Sequence, residues 1–162
     1  MENKETIVRK WKVQTANKFD ATMVAYIDAR DVSKALDEKF PNDWSNDFDT
    51  PYTLTAMEWV NKSKTAVEKN YVTCRITIKS TGQYHEDVGS ESATEAIKGC
   101  YSDAFKRAAV HFGIGRENYE LPVVKLPTKE YNGKYYPCDK TGKFLKDKAL
   151  LDACETELKK LS

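Results

Sequence analysis

The chain has 162 residues, of which 40% are hydrophobic, so its length suits one globular domain with a substantial core. A formal net charge of +1 neither requires nor excludes a nucleic-acid partner, because affinity for phosphate depends on local clusters of cations. No apolar run approaches the length of a membrane span, and the polar start lacks a signal-peptide core, so we expect a cytoplasmic protein. The cysteines are far apart without a CxxC pair, which predicts reduced thiols and no zinc ribbon: Cys74, Cys100, Cys138 and Cys154.

The first predicted elements are a short extended segment that begins at Met23 and a helix from Ala29 to about Phe40. The segment Pro41–Asp43 has the composition that ends a helix. Apolar residues recur at helical spacing and predict one buried face, formed by Val32, Ala35, Leu36 and Phe40.

Strands are predicted for the next part of the chain. One covers Trp44 to Val60 with a break near Pro51, and a second covers Tyr71 to Ile78, with the polar segment 61–70 as the loop between them. A third covers Gln83 to Val88 after a turn at Thr81 and Gly82. With the helices on either side, the pattern predicts an α+β fold: a helix, a three-stranded antiparallel meander and a long helix that covers one sheet face.

The long helix is predicted from Thr94 to Phe112. One stripe is apolar and should be buried: Ile97, Tyr101, Ala104, Phe105, Ala108 and Phe112. The other side combines cations with small residues, so a phosphate chain fits there: Lys98, Gly99, Ser102, Lys106, Arg107 and Ala109. The alternative interpretation is a solvated outer face in which Asp103 and Arg107 form an i,i+4 ion pair.

The residues before this helix resemble a metal or acid–base cluster, but strand geometry argues against it. Alternation sends Tyr84, Glu86 and Val88 to one face and His85 and Asp87 to the other, so the polar side chains cannot converge on one ion. A metal-dependent nuclease that uses His85, Asp87 and His111 therefore stays only as a competing hypothesis.

The glycines after the helix are also explained by structure. A nucleotide-binding glycine loop follows a strand and opens a helix, whereas these glycines follow a helix, so Gly113 is predicted as a left-handed C-cap.

The last forty residues differ from the rest. Turn signals at Asn132-Gly133 and Thr141-Gly142 predict a tyrosine-rich hairpin. An amphipathic helix follows, with apolar positions that pack on the domain or on a neighbouring subunit: Leu150, Leu151, Cys154, Leu158 and Leu161. We expect a core domain over residues 1–122 and an extension over residues 123–162.

Three segments resemble the Rad52 superfamily of single-strand annealing proteins, which includes phage Sak-type recombinases and bacterial DdrA-type repair proteins. They are YIDARDVSKALDEKFPNDW, VTCRITIKSTGQYHEDVG and IKGCYSDAFKRAAVHFGIGRENYELP, within a likeness that spans about Val24 to Pro122. The resemblance implies a β-β-β-α core that assembles into a ring or helical filament. It also implies a groove that holds single-stranded DNA, in the bacterial host cytoplasm if the protein is phage-encoded.

The resemblance assigns site residues position by position. Lys106 and Arg107 match the family's pair of DNA-contacting cations, whereas the third basic position falls at Val110, so the neighbouring His111 takes its part. A basic residue early in the first helix aligns next to Arg30, and a strand-end lysine falls one place from Lys79. Lys98, on the cationic side of the long helix, completes the predicted set.

The implied function is annealing of complementary DNA strands in recombination and repair, without ATP, metal or other cofactor and without enzymatic catalysis. No Walker-type loop or nuclease-type carboxylate group is evident in the sequence. An exonuclease or a single-strand binding protein is the expected partner beside the homo-oligomer. The alternatives are protection of DNA ends without annealing, or a scaffold. Because annealing leaves bases exposed, Tyr84 and Tyr101 are expected in the core and not as base-stacking platforms.

Overall fold

A computed structural model describes residues 9–60, 62–91 and 96–161 of the chain. These residues form two compact units, one made of residues 28–116 and one made of residues 9–27 together with residues 117–161. Both contain antiparallel strands and helices, which confirms the predicted α+β class. The sequence analysis divides the chain at residue 122 into an annealing core and an extension. This division stays a prediction.

The described residues contain three α-helices: α1 (Ala29–Lys39), α2 (Ala96–Val110) and α3 (Asp147–Leu161). The strands are β1 (Lys10–Ala16), β2 (Asp20–Tyr26), β3 (Trp44–Phe48), β4 (Tyr52–Val60), β5 (Ser63–Ile78), β6 (Tyr84–Ser90), β7 (Val124–Tyr131) and β8 (Lys134–Pro137). A 3-10 turn covers Arg116–Tyr119. None of the described helices has the length and apolar character needed to cross a membrane.

Helix α1 begins where the sequence predicts, because its N-terminus is capped locally. The Asp28 carboxylate accepts from the amides of Arg30 and Asp31, and the Asp31 carboxylate accepts from the amide of Asp28 at 3.0 Å. This reciprocal capping box satisfies amides that have no partner within the helix. The helix ends at its C-cap, Phe40, and the predicted apolar face is confirmed by the burial of Val32, Ala35 and Leu36.

Strand β5 is the longest element of the 28–116 unit, and β3, β4 and β6 all pair with it. The strands β3 and β4 pair with successive parts of one edge, and β6 pairs with the other edge over Tyr71–Thr77. The prediction of a polar loop over residues 61–70 is wrong from Ser63 onward, where β5 begins; residue 61 lies outside the described residues. Where β6 no longer pairs with β5, the strands β4 and β5 continue as a two-stranded arm. The arm has exposed apolar side chains: Leu54, Met57 and Trp59.

Helix α2 covers the face of β5 and β6 that carries the buried residues Val72, Cys74, Ile76 and Ile78. The predicted burial of Ala104, Phe105, Ala108 and Phe112 is confirmed, and Tyr101 is half-buried against Phe48 at 4.9 Å between ring centroids. The first two predicted residues, 94 and 95, lie outside the described part of the chain.

Two positions of α2 differ from the prediction. Ile97 is 46% exposed, because it lies in the first turn and the buried part of the helix starts at Cys100. Ala109 is fully buried, because the chain turns back after the helix and the Ile114 amide donates to the Ala109 carbonyl at 3.2 Å. The predicted left-handed C-cap is confirmed by the φ of +81° at Gly113.

The second unit is a four-stranded sheet in the order β1-β2-β7-β8, with α3 packed against β1 and β7. Its core contains Trp11, Ala21, Met23, Val124, Leu126, Cys154 and Leu158. The hairpin turn is confirmed: Asn132 and Gly133 both have positive φ, the conformation that a two-residue turn requires. Strand β1 was not predicted, and Leu161 is 55% exposed, so the apolar stripe of α3 ends before it. All four cysteines are buried and free.

Candidate nucleic-acid interface

The backbones of β6 and α2 come almost into contact at Gly89. A Cβ atom at Gly89 would lie 2.1 Å from the Ala104 nitrogen and 2.3 Å from the Cys100 oxygen, so a side chain does not fit. Next to it, the Ser90 amide donates to Asp103 Oδ2 at 3.2 Å. This close approach fixes α2 on β6 and sets where the side chains at the edge of α2 lie.

At that edge, Asp87 of β6 binds two of the predicted site residues. Its Oδ1 accepts from Arg107 Nε at 3.0 Å and from the Val88 amide at 2.7 Å, and its Oδ2 lies 3.3 Å from His111 Nε2. The alternative ion pair between Asp103 and Arg107 is therefore wrong. Arg107 pairs with Asp87, and the carboxylate of Asp103 accepts from the Ser90 amide. Arg107 and His111 still expose 46% of their side chains to solvent.

The electrostatic setting of Asp87 keeps it ionised at neutral pH. Partial burial by itself would raise the pKa of Asp87, but hydrogen bonds from the Val88 amide, Arg107 and His111, together with the charge of Arg107, hold it below its ordinary value. The carboxylate thus orients Arg107 at the edge of the helix while the guanidinium retains an exposed side.

The structure brings His85, Asp87 and His111 together, the residues of the competing nuclease hypothesis. The two imidazole rings are stacked, with centroids 5.2 Å apart and 17° between planes, and His85 also meets the edge of Phe112 at 4.8 Å. Stacked rings direct their nitrogen atoms sideways and not toward a shared point. Within residues 9–60, 62–91 and 96–161, no group of three or more His, Cys, Asp or Glu side chains has the arrangement of a metal site.

Two further cations lie at the C-terminal end of α2, and neither is indicated by a local sequence pattern. Lys39 Nζ donates to the Phe112 carbonyl at 2.6 Å, and an Arg116 Nη donates to the Val110 carbonyl at 3.1 Å. The Val110 carbonyl is at the C-terminus of α2, where carbonyl groups carry partial negative charge, and Arg116 offsets that charge. The Phe112 carbonyl, which Lys39 contacts, belongs to the turn that follows the helix. Lys39, Arg107, His111 and Arg116 therefore surround the last turn of α2, and we name them, with Lys106, the α2 cation cluster.

The six predicted site residues do not all lie together. Lys106 and Arg107 are neighbours on α2, and Lys106 is half-buried. Lys98 lies nine residues before Arg107, about two and a half turns, so the two side chains project from opposite sides of the helix. Lys98 is therefore separated from the Arg107 edge, although its side chain is exposed.

The remaining two positions differ in their relation to this cluster. Arg30 lies in the first turn of α1, at the opposite end of that helix from Lys39. Lys79 is exposed in the turn between β5 and β6, and this turn is at the same end of the sheet as the stacked His85 and His111.

The sheet face opposite α2 carries a separate polar group. The prediction that Tyr84 lies in the core is wrong: it is 52% exposed, with the Arg75 guanidinium 4.6 Å from its ring centroid. Strand alternation places Tyr84 and Glu86 on this outer face, as predicted, and Arg75 Nε donates to Glu86 at 2.6 Å. A shallow polar pocket here is lined by Asp47, Asp49, Thr73, Arg75 and Glu86. Its carboxylates outnumber its cation, so it does not favour phosphate.

Comparison with known proteins gives matches over most of this chain. Residues 2–135 match the model of the Rad52/22 family, described as double-strand break repair proteins. Two relatives, from Deinococcus radiodurans and Deinococcus deserti, are each named single-stranded DNA-binding protein DdrA. Each is 37% identical over 116 residues, which is 69% of this chain and 49% or 50% of the relative. The chain thus spans about half the length of these curated relatives. No solved structure matches significantly.

Proposed function

The chain belongs to the Rad52/22 family of double-strand break repair proteins, and on this premise we propose that it binds single-stranded DNA and anneals complementary strands in recombination and repair. The proposed activity is non-enzymatic and uses neither ATP nor a metal ion. The protein holds each strand by its phosphates and brings two strands together, and base pairing supplies the free energy of the product.

The observation that supports this proposal best is the α2 cation cluster. Its groups come from α1, α2 and the segment after α2, so they converge only in the folded unit. Cations on a rigid helix suit a partner with regularly spaced charges, because little side-chain freedom is lost when a phosphate binds. Contacts to phosphate carry no sequence information, as annealing of arbitrary strands requires.

Within the proposed interface, Arg107 and Lys106 contact phosphate directly, and His111, Lys39 and Arg116 extend the positive surface. Asp87 orients Arg107 and His111 through its two oxygens. Lys79, which is exposed in the turn between β5 and β6, is assigned to a neighbouring phosphate. Lys98 and Arg30 are assigned to more distant phosphates, because α2 and α1 separate them from Arg107 and Lys39 respectively.

We further propose that the protein acts as a ring or helical filament. A single unit offers only a few phosphate contacts, each weak in water, whereas repeating the cluster along a strand multiplies affinity. The arm of β4 and β5 suits a subunit contact, because it exposes Met57 (61%) and Trp59 (72%) and keeps the outer edge of β4 free among the described strands.

A second candidate is binding and protection of single-stranded DNA without annealing, with an exonuclease or another single-strand binding protein as the annealing partner. The names of the two Deinococcus relatives favour this alternative, since they state binding and not annealing. Both candidates use the α2 cation cluster, so they differ in activity and not in site.

The decisive experiment is annealing of two complementary fluorescent oligonucleotides with chelator and without ATP. The wild-type chain is compared with Lys106→Ala/Arg107→Ala and with Lys159→Ala/Lys160→Ala, a matched pair of adjacent cations on α3. We expect the wild type and the α3 variant to accelerate annealing and the α2 variant to lose most of the acceleration, with a smaller salt dependence of binding. Binding without acceleration by the wild type would select the protection candidate. Equal activity of the two double variants would contradict the assigned site.

A further inference from the structure

The sheet of the second unit has two faces of different composition. Val124 and Leu126 of β7 point into the core, so the residues that alternate with them point outward. Cross-strand partners share a face, and the register pairs Lys129 with Tyr136 and Tyr131 with Lys134. Two lysines and two tyrosines therefore occupy the outer face of the β7–β8 hairpin.

The aromatic rings on this face are exposed but held in place. Tyr131 is 59% exposed and Tyr136 is 42% exposed. Each ring meets Phe144 edge-on, with centroids 6.1 Å apart in both pairs. Lys129 Nζ lies 5.6 Å from the Phe144 centroid and donates to the Gly142 carbonyl at 3.3 Å. Contact with a shared ring reduces the rotamer freedom of both tyrosines before any ligand binds.

The local charge is strongly positive. Residues 124–146 carry six lysines and two carboxylates, a net charge of +4 (6 − 2). One carboxylate, Glu130, is paired with Tyr135 on the inner face of the hairpin. The other, Asp139, accepts from the amides of Thr141 and Lys143 within its own turn. Of the six lysines, Lys125 pairs with Asp20 of β2 at 3.0 Å. The outer face of the hairpin itself carries Lys129 and Lys134 without a carboxylate from β7 or β8.

We propose that this surface is a second binding site for single-stranded nucleic acid, distinct from the α2 cation cluster. We name it the hairpin face and define it by Lys129, Tyr131, Lys134, Tyr136 and Phe144. Bases stack on the two tyrosine rings, and the lysines pair with the phosphates on either side. The combination of open aromatic rings and flanking cations is the arrangement that single-strand binders use where sequence does not matter.

Charge decides between this ligand and a second copy of the chain. Two copies meeting through their hairpin faces would bring lysines against lysines, and like charges at an interface oppose association. An acidic protein segment would satisfy the lysines but gives the tyrosine rings no planar partner. A single strand satisfies both, because each nucleotide carries a phosphate and a base.

The test measures binding of a fluorescent oligothymidine and of an abasic oligomer of equal length by anisotropy. The full chain is compared with Tyr131→Ala/Tyr136→Ala, with Tyr131→Phe/Tyr136→Phe, and with Tyr119→Ala, which removes a 68% exposed tyrosine elsewhere in the same unit. We expect the double alanine variant to bind oligothymidine about tenfold more weakly. The phenylalanine variant and Tyr119→Ala should bind like the wild type, and the abasic oligomer should show no difference between any of the proteins.

A second variant, Lys129→Gln/Lys134→Gln, leaves the rings in place and should bind both oligomers more weakly, with a smaller salt slope. Lys159→Gln/Lys160→Gln is its matched control. Unchanged affinity in the tyrosine and lysine variants would overturn the proposal, and so would a loss that is equal for oligothymidine and the abasic oligomer. Unchanged DNA affinity with a smaller oligomer in sedimentation velocity would assign the face to self-association instead. These outcomes are independent of Lys106 and Arg107, so failure of the hairpin face and failure of the annealing proposal are distinguishable.

Discussion

The two cationic surfaces of this protein differ in what surrounds their charges. In the α2 cation cluster, Arg107 is bound by the carboxylate of Asp87, and Lys39 by the carbonyl of Phe112. The rings nearby pack on one another: His85 stacks on His111 and meets Phe112, and Phe112 meets Phe40. On the hairpin face, the lysines stand beside the half-open rings of Tyr131 and Tyr136.

If both proposals hold, this difference corresponds to two ways of holding single-stranded DNA. Fixed cations without open rings grip phosphates and leave the bases available, which suits pairing with a second strand. Open rings hold the bases themselves, which keeps a strand bound but unavailable for pairing. The α2 cation cluster would then present a strand for pairing, and the hairpin face would retain it. If so, the α2 cation cluster should depend on the rigid packing of α2, and the hairpin face should not.

The largest effect is expected for Phe112→Ala. Phe112 is 8% exposed and meets Phe40 at 5.7 Å and His85 at 4.8 Å between ring centroids. Its removal should lower the free energy of unfolding of the 28–116 unit by about 3–5 kcal/mol through lost burial and the cavity left behind. Hydrogen exchange should show lost protection in β5, β6 and α2 and unchanged protection in β7 and β8.

The matched control is Phe19→Ala, which removes a phenylalanine that is 74% exposed and should change stability little. If Phe112→Ala left the exchange of α2 unchanged, the buried face assigned to that helix would be wrong. Equal loss of protection in β7 and β8 would instead show that the two units unfold together.

The next effect in size is expected for Gly89→Ala. The added Cβ would meet the backbone of α2 at Ala104 and Cys100, which cannot move aside as a flexible side chain does. We expect a loss of about 3 kcal/mol in the free energy of unfolding, measured by urea denaturation. Because α2 must shift on β6, the Asp87–Arg107 pair should also be distorted and single-stranded DNA affinity should fall.

Gly82→Ala serves as the control, since nothing lies within 4 Å of a Cβ there and only its φ of +69° opposes the change. Its cost should be about 1 kcal/mol, without an effect on α2. A Gly89→Ala protein as stable as the Gly82→Ala protein would contradict the close packing of β6 and α2.

The parts of the fold that the sequence predicts are those determined by local residues. The capping box of Asp28 and Asp31 starts α1, Gly113 ends α2, and Asn132-Gly133 makes the hairpin turn, each within a few residues. Alternation along β6 likewise places His85 and Asp87 on the face opposite Glu86 without knowledge of the partner strand.

The parts that escaped prediction depend on contacts between distant residues. Lys39 reaches the end of α2 from 73 residues away, and no local pattern indicates this. Strand β5 was missed over Ser63–Asn70 because the arm has no covered face, so apolar and polar residues do not alternate there. The hairpin face was likewise absent from the predicted site, since β7 joins a sheet with β1 and β2 from the other end of the chain.

The smallest effect is expected for Asp87→Asn, and it tests whether the carboxylate of Asp87 stabilises the α2 cation cluster. The folded protein lowers the pKa of Asp87, so its contribution to stability is present above the ordinary value of 3.8 and is lost as the pH falls through the folded value. At pH 7, Asp87→Asn should cost about 1 kcal/mol, since the amide keeps one acceptor oxygen but loses the charge. The difference between wild type and variant should shrink as the pH falls below 3.8.

The measurement is the melting temperature of both proteins across this pH range, beside Asp152→Asn as control. Asp152 is exposed and pairs with Lys148 at 2.8 Å, so its replacement should change stability little at any pH. A wild-type advantage that stayed constant down to low pH would show that Asp87 acts through its shape and not its charge. Packing alone would then position the cations of the α2 cation cluster. The two cationic surfaces would then differ only in the exposed aromatic rings of the hairpin face, because no carboxylate would be needed to orient Arg107.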